Sequence, residues 1–255
     1  MDLEIRHLTH RYDDLDVLRD INLTIPGGQI VCIVGPSGCG KSTLLRLLGG
    51  LEQPTSGEIL QVGKAPEGSL NPLTYIFQDF ALLPWRTVRG NISLVLEDHN
   101  LGQAEIDRRV ADVLNRTRLS DFPDVYPRQL SGGMKQRVAI ARALAVDPAV
   151  LLMDEPLSAL DSQTRELLMD DLVALWERER FTACYITHNL NEAVRLGHKV
   201  IVLSRRPGEI RETVEIDIPI SERSVDTPEL ARIQTSLWEM MREEALTADR
   251  QLTNA

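Results

Sequence analysis

Aromatic residues are scarce in this chain of 255 residues, at 4%, which argues against the stacking platforms that bind single-stranded nucleic acid. Basic charge is also short. Lys and Arg number 28 against 38 Asp and Glu, a net charge of −10, and that is the wrong sign for a duplex-binding face. Cysteine is limited to Cys32, Cys39 and Cys184, with no metal spacing and no paired framework, as in a reducing, cytosolic compartment. Long apolar runs are missing too: they reach five residues, as in Ile30-Val31-Cys32-Ile33-Val34, against the roughly 20 that span a bilayer. The acidic opening Met1-Asp2-Leu3-Glu4 does not read as a signal peptide. A membrane role would therefore need another chain. There is no internal repeat and no low-complexity tract. What remains, 43% hydrophobic and 26% charged, suits a globular protein of one large domain, or a core with a smaller lobe.

The strongest signal is Gly35-Pro36-Ser37-Gly38-Cys39-Gly40-Lys41-Ser42, set between that apolar run and Thr43-Leu44-Leu45-Arg46-Leu47-Leu48. Strand, glycine loop and helix in this order form a phosphate-binding loop. The glycines let successive N–H groups turn around an anion, and the helix start adds its own amides and dipole. Lys41 would reach the β- and γ-phosphates, and the Ser42 hydroxyl would ligate Mg²⁺. A chance match to the four fixed positions arises in about one chain of this length per hundred at ordinary glycine usage, and the flanks lower that further.

Ahead of the loop, residues 3–8 and 21–25 alternate with period two and read as strands, separated by the Asp13-Asp14-Leu15-Asp16 turn, with Tyr12 just beyond the first. After it, Gly49-Gly50 ends the helix, a short strand is expected around residues 57–60, and Leu73-Thr74-Tyr75-Ile76-Phe77 is a strand ending at Gln78. The following Asp79-Phe80-Ala81-Leu82-Leu83-Pro84-Trp85-Arg86-Thr87-Val88-Arg89 is unusually apolar for a loop. It is either a docking surface or a segment folded back on the next helix.

From residue 90 to 146 the pattern turns helical, with Ile106, Val110, Val113 and Leu114 on one face. Leu130-Ser131-Gly132-Gly133 opens a helix and makes a second anion-receptive N-terminus, more than one nucleotide requires. Ala149-Val150-Leu151-Leu152-Met153 reads as a strand buried on both faces, with Asp154-Glu155 at the end where open α/β sheets place their chemistry. Asp161 is the expected N-cap of a helix carrying Leu167, Leu168, Leu172, Leu175 and Trp176. Strand 181–186 ends at Thr187-His188, and Asn189 with Glu192 resembles a capping pair. Val200-Ile201-Val202-Leu203 is one more buried strand, turned by 205–208 into 210–214. Residues 221–227 look linker-like, a last helix starts at Thr227-Pro228 with Leu230, Ile233, Leu237 and Met240 on one stripe, and the final residues look frayed.

Tyr12, the phosphate loop, Gln78, Leu130-Ser131-Gly132-Gly133-Met134-Lys135-Gln136-Arg137, Asp154-Glu155, Ser158-Ala159-Leu160-Asp161 and His188 together resemble the nucleotide-binding subunit of an ATP-binding-cassette (ABC) transporter, over residues 3 to about 215. The Ser131 segment between the two nucleotide motifs is the most diagnostic part. The resemblance implies a RecA-like, mostly parallel sheet core with an antiparallel β subdomain and an α-helical subdomain inserted at about 88–147. It also implies one ABC ATPase domain over 1–220 and a helical extension over 221–255. By the same resemblance, two copies face head to tail, each ATP lying between one chain's loop (Gly35 to Thr43) and the other's Ser131-Gly132-Gly133. Tyr12 stacks on adenine. Ser42, Gln78 and Asp154 serve Mg²⁺, Glu155 is the general base or water-positioning group, and His188 contacts the γ-phosphate. Asp161 communicates across the dimer. Asn189, where many relatives carry Asp, is a mild departure.

The segment Gln78–Arg89 belongs to the region that meets the membrane permease in this family. With no spanning segment of its own, the chain is expected to work as a peripheral subunit at the cytoplasmic face of the inner membrane, indirectly served by a substrate-binding protein. The 77–88 run, together with Leu203-Ser204-Arg205-Arg206-Pro207-Gly208, is similar to the nitrate, sulfonate and taurine importer group, and related importers for bicarbonate or pyrimidine precursors share those features. Soluble ABC ATPases of ribosomes or DNA repair are the alternative. Their second cassette or inserted coiled coil is not present.

Overall fold

The structure is a computed structural model that describes residues 1–224 and 227–252. The expected fraying at the last residues, and part of the expected linker at 225–226, lie outside them. The chain divides into two compact units, one formed by Met1–Gly63 with Thr182–Ala255 and one by Lys64–Phe181.

In the first unit, β1 (Asp2–Tyr12) and β2 (Leu15–Ile25) make an antiparallel hairpin, and β4 (Ser56–Val62) pairs antiparallel with β1 on its other edge. Both hairpin strands are longer than residues 3–8 and 21–25, and the turn shrinks to Asp13-Asp14. The cause is three breaks in the pairing. His7 and Asp20 take positive φ (49° and 46°), and the register shifts between Ile5 and Leu8, between Leu8 and His10, and between His10 and Arg11. Each extra residue flips the alternation, so Leu3 and Ile5 are buried, then Leu8 and His10. Tyr12 is accordingly the last residue of β1 rather than a residue beyond it.

The same unit holds β3 (Ile30–Val34), flanked in parallel by β7 (Thr182–Ile186) and β8 (Lys199–Leu203), while β9 (Ile210–Glu215) adds antiparallel to β8. Every residue of β3 and β7 is buried, as continuous apolar runs require in a parallel sheet. α1 (Lys41–Leu48) buries Leu44, Leu45, Leu47 and Leu48 and ends at Gly49. α6 (Leu190–Leu196) is capped at its start by the Asn189 side chain, which accepts from Asn191 N at 2.9 Å. The Asn189 N–H, the donor that a capping pair would give to Glu192, goes to Thr187 Oγ1 at 2.9 Å. The Glu192 carboxylate is buried and accepts from Tyr185 Oη (2.9 Å) and Thr187 Oγ1 (2.8 Å), because the end of β7 presents hydroxyls that need an acceptor.

At the other end of α6, the buried Arg223 guanidinium donates to the carbonyls of Val194 (3.0 Å) and Gly197 (2.5 Å), satisfying groups that a helix C-terminus leaves open. The final helix, α7 (Pro228–Leu252), buries Leu230 and Leu237 and leaves Ile233 and Met240 half-buried.

In the second unit, β5 (Leu73–Ile76) pairs in parallel with β6 (Val150–Asp154). Helices α2 (Val88–Ser93), α3 (Gln103–Arg116) and α4 (Gly132–Leu144) lie between them in sequence, and α5 (Ser162–Glu179) follows β6. Val110, Val113 and Leu114 are buried on α3, with Ile106 half-buried at the margin. Buried Arg109 ties α3 down through Asp147 (2.6 Å), Glu105 (2.8 Å), Ala145 O (3.2 Å) and Gly68 O (3.0 Å). On α5, Leu168, Leu172, Leu175 and Trp176 are buried, but Leu167 is 64% exposed. At 100° per residue Leu167 falls just outside the apolar stripe that Leu168 occupies.

Candidate active site

In the first unit the phosphate loop leaves the C-terminal end of β3 and closes on α1. Gly38 and Gly40 have φ of 75° and 108°, the left-handed region that glycine enters without penalty. A side chain at Gly40 would also meet Leu18 Cδ2 at 2.8 Å. A side chain at Gly35 would meet Leu203 O at 2.9 Å and Cys39 Sγ at 3.0 Å, so the loop is folded tightly on its own strand neighbours. Cys39 is 1% exposed and serves this packing, while Pro36 is half-buried and Ser37 and Gly38 face solvent.

Lys41, 8% exposed, donates from Nζ to Gly35 O (2.8 Å) and Pro36 O (3.0 Å). Two of the ammonium's three N–H donors therefore hold it across the mouth of the loop. Ser42 is exposed beside it and Thr43 is buried. β7 runs parallel to β3 in register, Ile186 opposite Ile33, and Thr187 N donates to Ile33 O at 3.3 Å. His188, exposed one residue on, thus shares the sheet end from which the phosphate loop departs.

Tyr12 stands at the end of β1 with 41% of its surface exposed, and its hydroxyl donates to the Glu52 carboxylate. Burial first, and then this bond, push the phenol's pKa up, while Thr43 and Arg46 of α1 pull the other way. The phenol stays a donor with an accessible ring. Nothing in the sequence singles out Glu52; it lies forty positions from Tyr12 and belongs to no motif.

In the second unit Ile76 of β5 lies opposite Met153 of β6, so exposed Gln78 and the Asp154-Glu155 pair sit at the same, C-terminal, end of parallel strands. Tyr75 Oη donates to Asp154 Oδ2 at 3.2 Å. Glu155 has a φ of 45°, a conformation that costs a non-glycine residue on the order of 1 kcal/mol and is concentrated at functional positions. Ser158 holds the turn by donating from Oγ (2.9 Å) and N (3.1 Å) to Glu155 O.

Ser131 is the N-cap of α4, accepting from Met134 N at 3.2 Å. Ser131 and Gly132 are exposed and Gly133 is buried. A side chain at Gly133 would stand 2.7 Å from Thr164 Cγ2 of α5. Asp161, the α5 N-cap, accepts from Thr164 N (2.9 Å) and Oγ1 (2.7 Å), and these bonds lower its pKa. The cap of α5 and the start of α4 thus meet through one threonine.

The apolar loop after Gln78 is held firmly. Buried Asn91 accepts from Leu83 N (2.7 Å) and donates to Leu83 O, Arg86 O and Thr87 O at 3.0–3.1 Å. Arg142 donates to Ala81 O (2.5 Å) and Phe80 O (3.1 Å). Leu82 and Leu83 are half-buried while Trp85 is 71% exposed, so the segment divides between the two readings of its sequence.

The family model described as ABC transporter matches residues 18–158, more than half of the sequence. The chain belongs to the ABC transporter family. The cassette is 46% identical to the nitrate import ATP-binding protein NrtD of Synechocystis over 81% of this chain and 78% of that protein. It is 41% identical to the aliphatic sulfonates import ATP-binding protein SsuB of Bacillus licheniformis over 80% and 78%. It also superposes on a dimeric ATP-binding cassette in a post-hydrolysis state bound to ADP and Pi. The TM-score is 0.70 at 34% identity, covering 84% of this chain and 98% of the other. The cassette is therefore an ATP-binding, ATP-hydrolysing protein with the α/β P-loop fold of ABC ATPases. None of its described helices is long and apolar enough to cross a membrane.

Magnesium fits the residue types present. Ser42 in the first unit, and Gln78 and Asp154 in the second, each offer the hard oxygen donors that this cation takes together with phosphates and water.

Proposed function

We propose that the cassette is the ATP-hydrolysing subunit of an importer for small oxyanions of the nitrate or alkanesulfonate class, working as a dimer on a separate permease at the cytoplasmic face of the membrane. The observation that carries the dimer is the exposed Ser131-Gly132 start of α4, an anion-receptive end in a chain that already holds a complete phosphate loop. A second copy's γ-phosphate is the ligand it fits. The importer class rests on the functions for which the nitrate and sulfonate relatives are named, and the permease contact on Trp85, 71% exposed in a loop whose Leu83, Arg86 and Thr87 backbones bond to Asn91.

In this proposal residues 88–147 form the inserted helical subdomain of a single ATPase domain over 1–220, and residues 221–255 form an extension. The loop amides of residues 35–42 and Lys41 hold the β- and γ-phosphates, with Thr43 behind them. Tyr12 carries the adenine. Ser42, Gln78 and Asp154 would hold Mg²⁺, which would neutralise charge on the phosphates. Glu155, fixed in its turn by Ser158, accepts the proton of the attacking water or aligns it. His188 donates to the γ-phosphate. Asp161, bonded to the threonine behind Gly133, passes the state of one site to the other. Closure on ATP and reopening after hydrolysis deliver the motion to the permease.

The test is ATPase activity of the cassette reconstituted with its permease and binding protein. Stimulation by nitrate or an alkanesulfonate is expected. A chain that co-purifies with ribosomes or DNA and never with a polytopic membrane protein would overturn the importer reading.

A further inference from the structure

We propose that Glu52 is a positioning residue for nucleotide binding, its carboxylate fastening the Tyr12 ring to the helix that follows the phosphate loop. Base platform and phosphate cradle then behave as one body. The inference rests on Tyr12 being the adenine platform proposed above.

A tyrosine at an exposed strand end is free to rotate, and a stacking surface that must be ordered on binding loses affinity to that ordering. Here the ring is fixed from several sides. Its hydroxyl donates to Glu52. The other Glu52 oxygen lies 3.2 Å from Arg46 Nη1 of α1, and the Glu52 side chain is only a quarter exposed. His10, buried with no hydrogen bond to either ring nitrogen, packs edge-on to Tyr12 at 4.7 Å and brings Nε2 to 3.7 Å from Glu52. The backbone of β1 is held to the same segment, since Arg11 N donates to Thr55 Oγ1 at 3.1 Å.

The bland reading of Glu52 is a surface ion pair with Arg46, and such pairs are worth little. What separates the two readings is the tyrosine hydroxyl. An ion pair that only braces α1 would act on the phosphate end, whereas a tether of Tyr12 acts on the base end alone.

The experiment measures binding of MgATP and of Mg-tripolyphosphate, a probe with no base, to the full chain, with KM and kcat for ATP alongside. Tyr12→Ala is expected to weaken ATP binding about 5- to 100-fold and to leave tripolyphosphate unchanged. Glu52→Ala is expected to raise the ATP Kd and KM about 3- to 10-fold, with kcat and tripolyphosphate binding unchanged. Glu52→Gln, which keeps an acceptor for the hydroxyl, recovers most of the loss. In the Tyr12→Ala background Glu52→Ala costs nothing more, because the tether has nothing left to hold.

An equal Glu52→Ala loss with and without the ring overturns the proposal. So does a matching loss for tripolyphosphate, or unchanged ATP affinity. If Tyr12→Ala itself leaves ATP affinity intact, the platform reading has failed and the tether falls with it, a result distinct from failure of Glu52 alone. Should Glu52→Ala not fold, Glu52→Leu, which fills the same space without accepting from the hydroxyl, decides the question in its place: the same 3- to 10-fold loss supports the tether, and unchanged ATP affinity overturns it.

Discussion

Two helices of this cassette begin on glycine-rich turns that can face an anion, and they are built differently. α1 starts from Gly40 at a φ of 108° with no side-chain cap, and buried Lys41 lies across the loop on the Gly35 and Pro36 carbonyls. α4 starts from Ser131, whose own side chain already accepts from Met134 N, with Ser131 and Gly132 open to solvent. The first is a cradle finished within one chain. The second satisfies part of its own helix end and can stand exposed until a ligand is brought to it. Damage at α1 should therefore appear in nucleotide binding by a single chain. Damage at α4 should appear only when two chains work together.

The largest expected effect comes from neither helix start. Glu155→Gln should slow hydrolysis about 10²- to 10⁴-fold, the usual weight of a general base, with ATP affinity retained. Near-normal turnover would remove Glu155 from that role. Next, Lys41→Ala should weaken ATP binding by the isolated chain about 10- to 100-fold, since a charge-assisted bond to phosphate is lost. Calorimetric titration showing unchanged affinity would count against the finished cradle.

Gly133→Ala offers the contrasting case. The new methyl meets Thr164 Cγ2 at 2.7 Å, so overpacking should cost about 1–3 kcal/mol of stability. Turnover should fall while single-chain ATP affinity stays within about twofold of the parent. A loss of ATP affinity matching that of Lys41→Ala would erase the distinction between the two helix starts.

How much of the molecule is legible in its sequence depends on how local the chemistry is. The strand, glycine loop and helix around residues 35–42, the helix start at Ser131 and the strand end at Asp154-Glu155 are legible as local structure because each is a short run whose neighbours in sequence are its neighbours in space. The lengths of β1 and β2 are not, because the bulges at His7 and Asp20 reset an alternation that otherwise marks a strand. Glu192 looks like half of a cap because it stands three residues after Asn189, yet Tyr185 and Thr187 claim its carboxylate. Glu52 is invisible for the opposite reason: its partners Tyr12 and His10 come from the far end of the first unit's sequence. Leu167 shows the resolution limit of a helical stripe, one position from a buried neighbour and exposed.

The smallest expected effect concerns how the second unit is held together rather than what it binds. Hydrogen bonds from Arg108 and then Arg109 hold the Glu105 carboxyl down at about 2, against an ordinary 4.5. A carboxyl depressed on folding stabilises fully above its unfolded value and loses that contribution as pH falls through its folded one. Glu105→Gln should therefore lower stability slightly at neutral pH, and the difference from the parent should vanish between about pH 4.5 and about pH 2. Denaturant unfolding at stepped pH measures it. A difference that persists unchanged at pH 2 would show that the ion pairs are not its source.

The central claim is that one chain carries half a site and that the exposed start of α4 completes the site of another. Light scattering of the Glu155→Gln chain with and without MgATP tests it most directly, with Ser131→Arg in the same background as the comparison. The account predicts a monomer without nucleotide, a dimer with ATP, and a Ser131→Arg chain that binds ATP and stays monomeric. A nucleotide-independent dimer, or a Ser131→Arg chain that dimerises as readily as its parent, would contradict it.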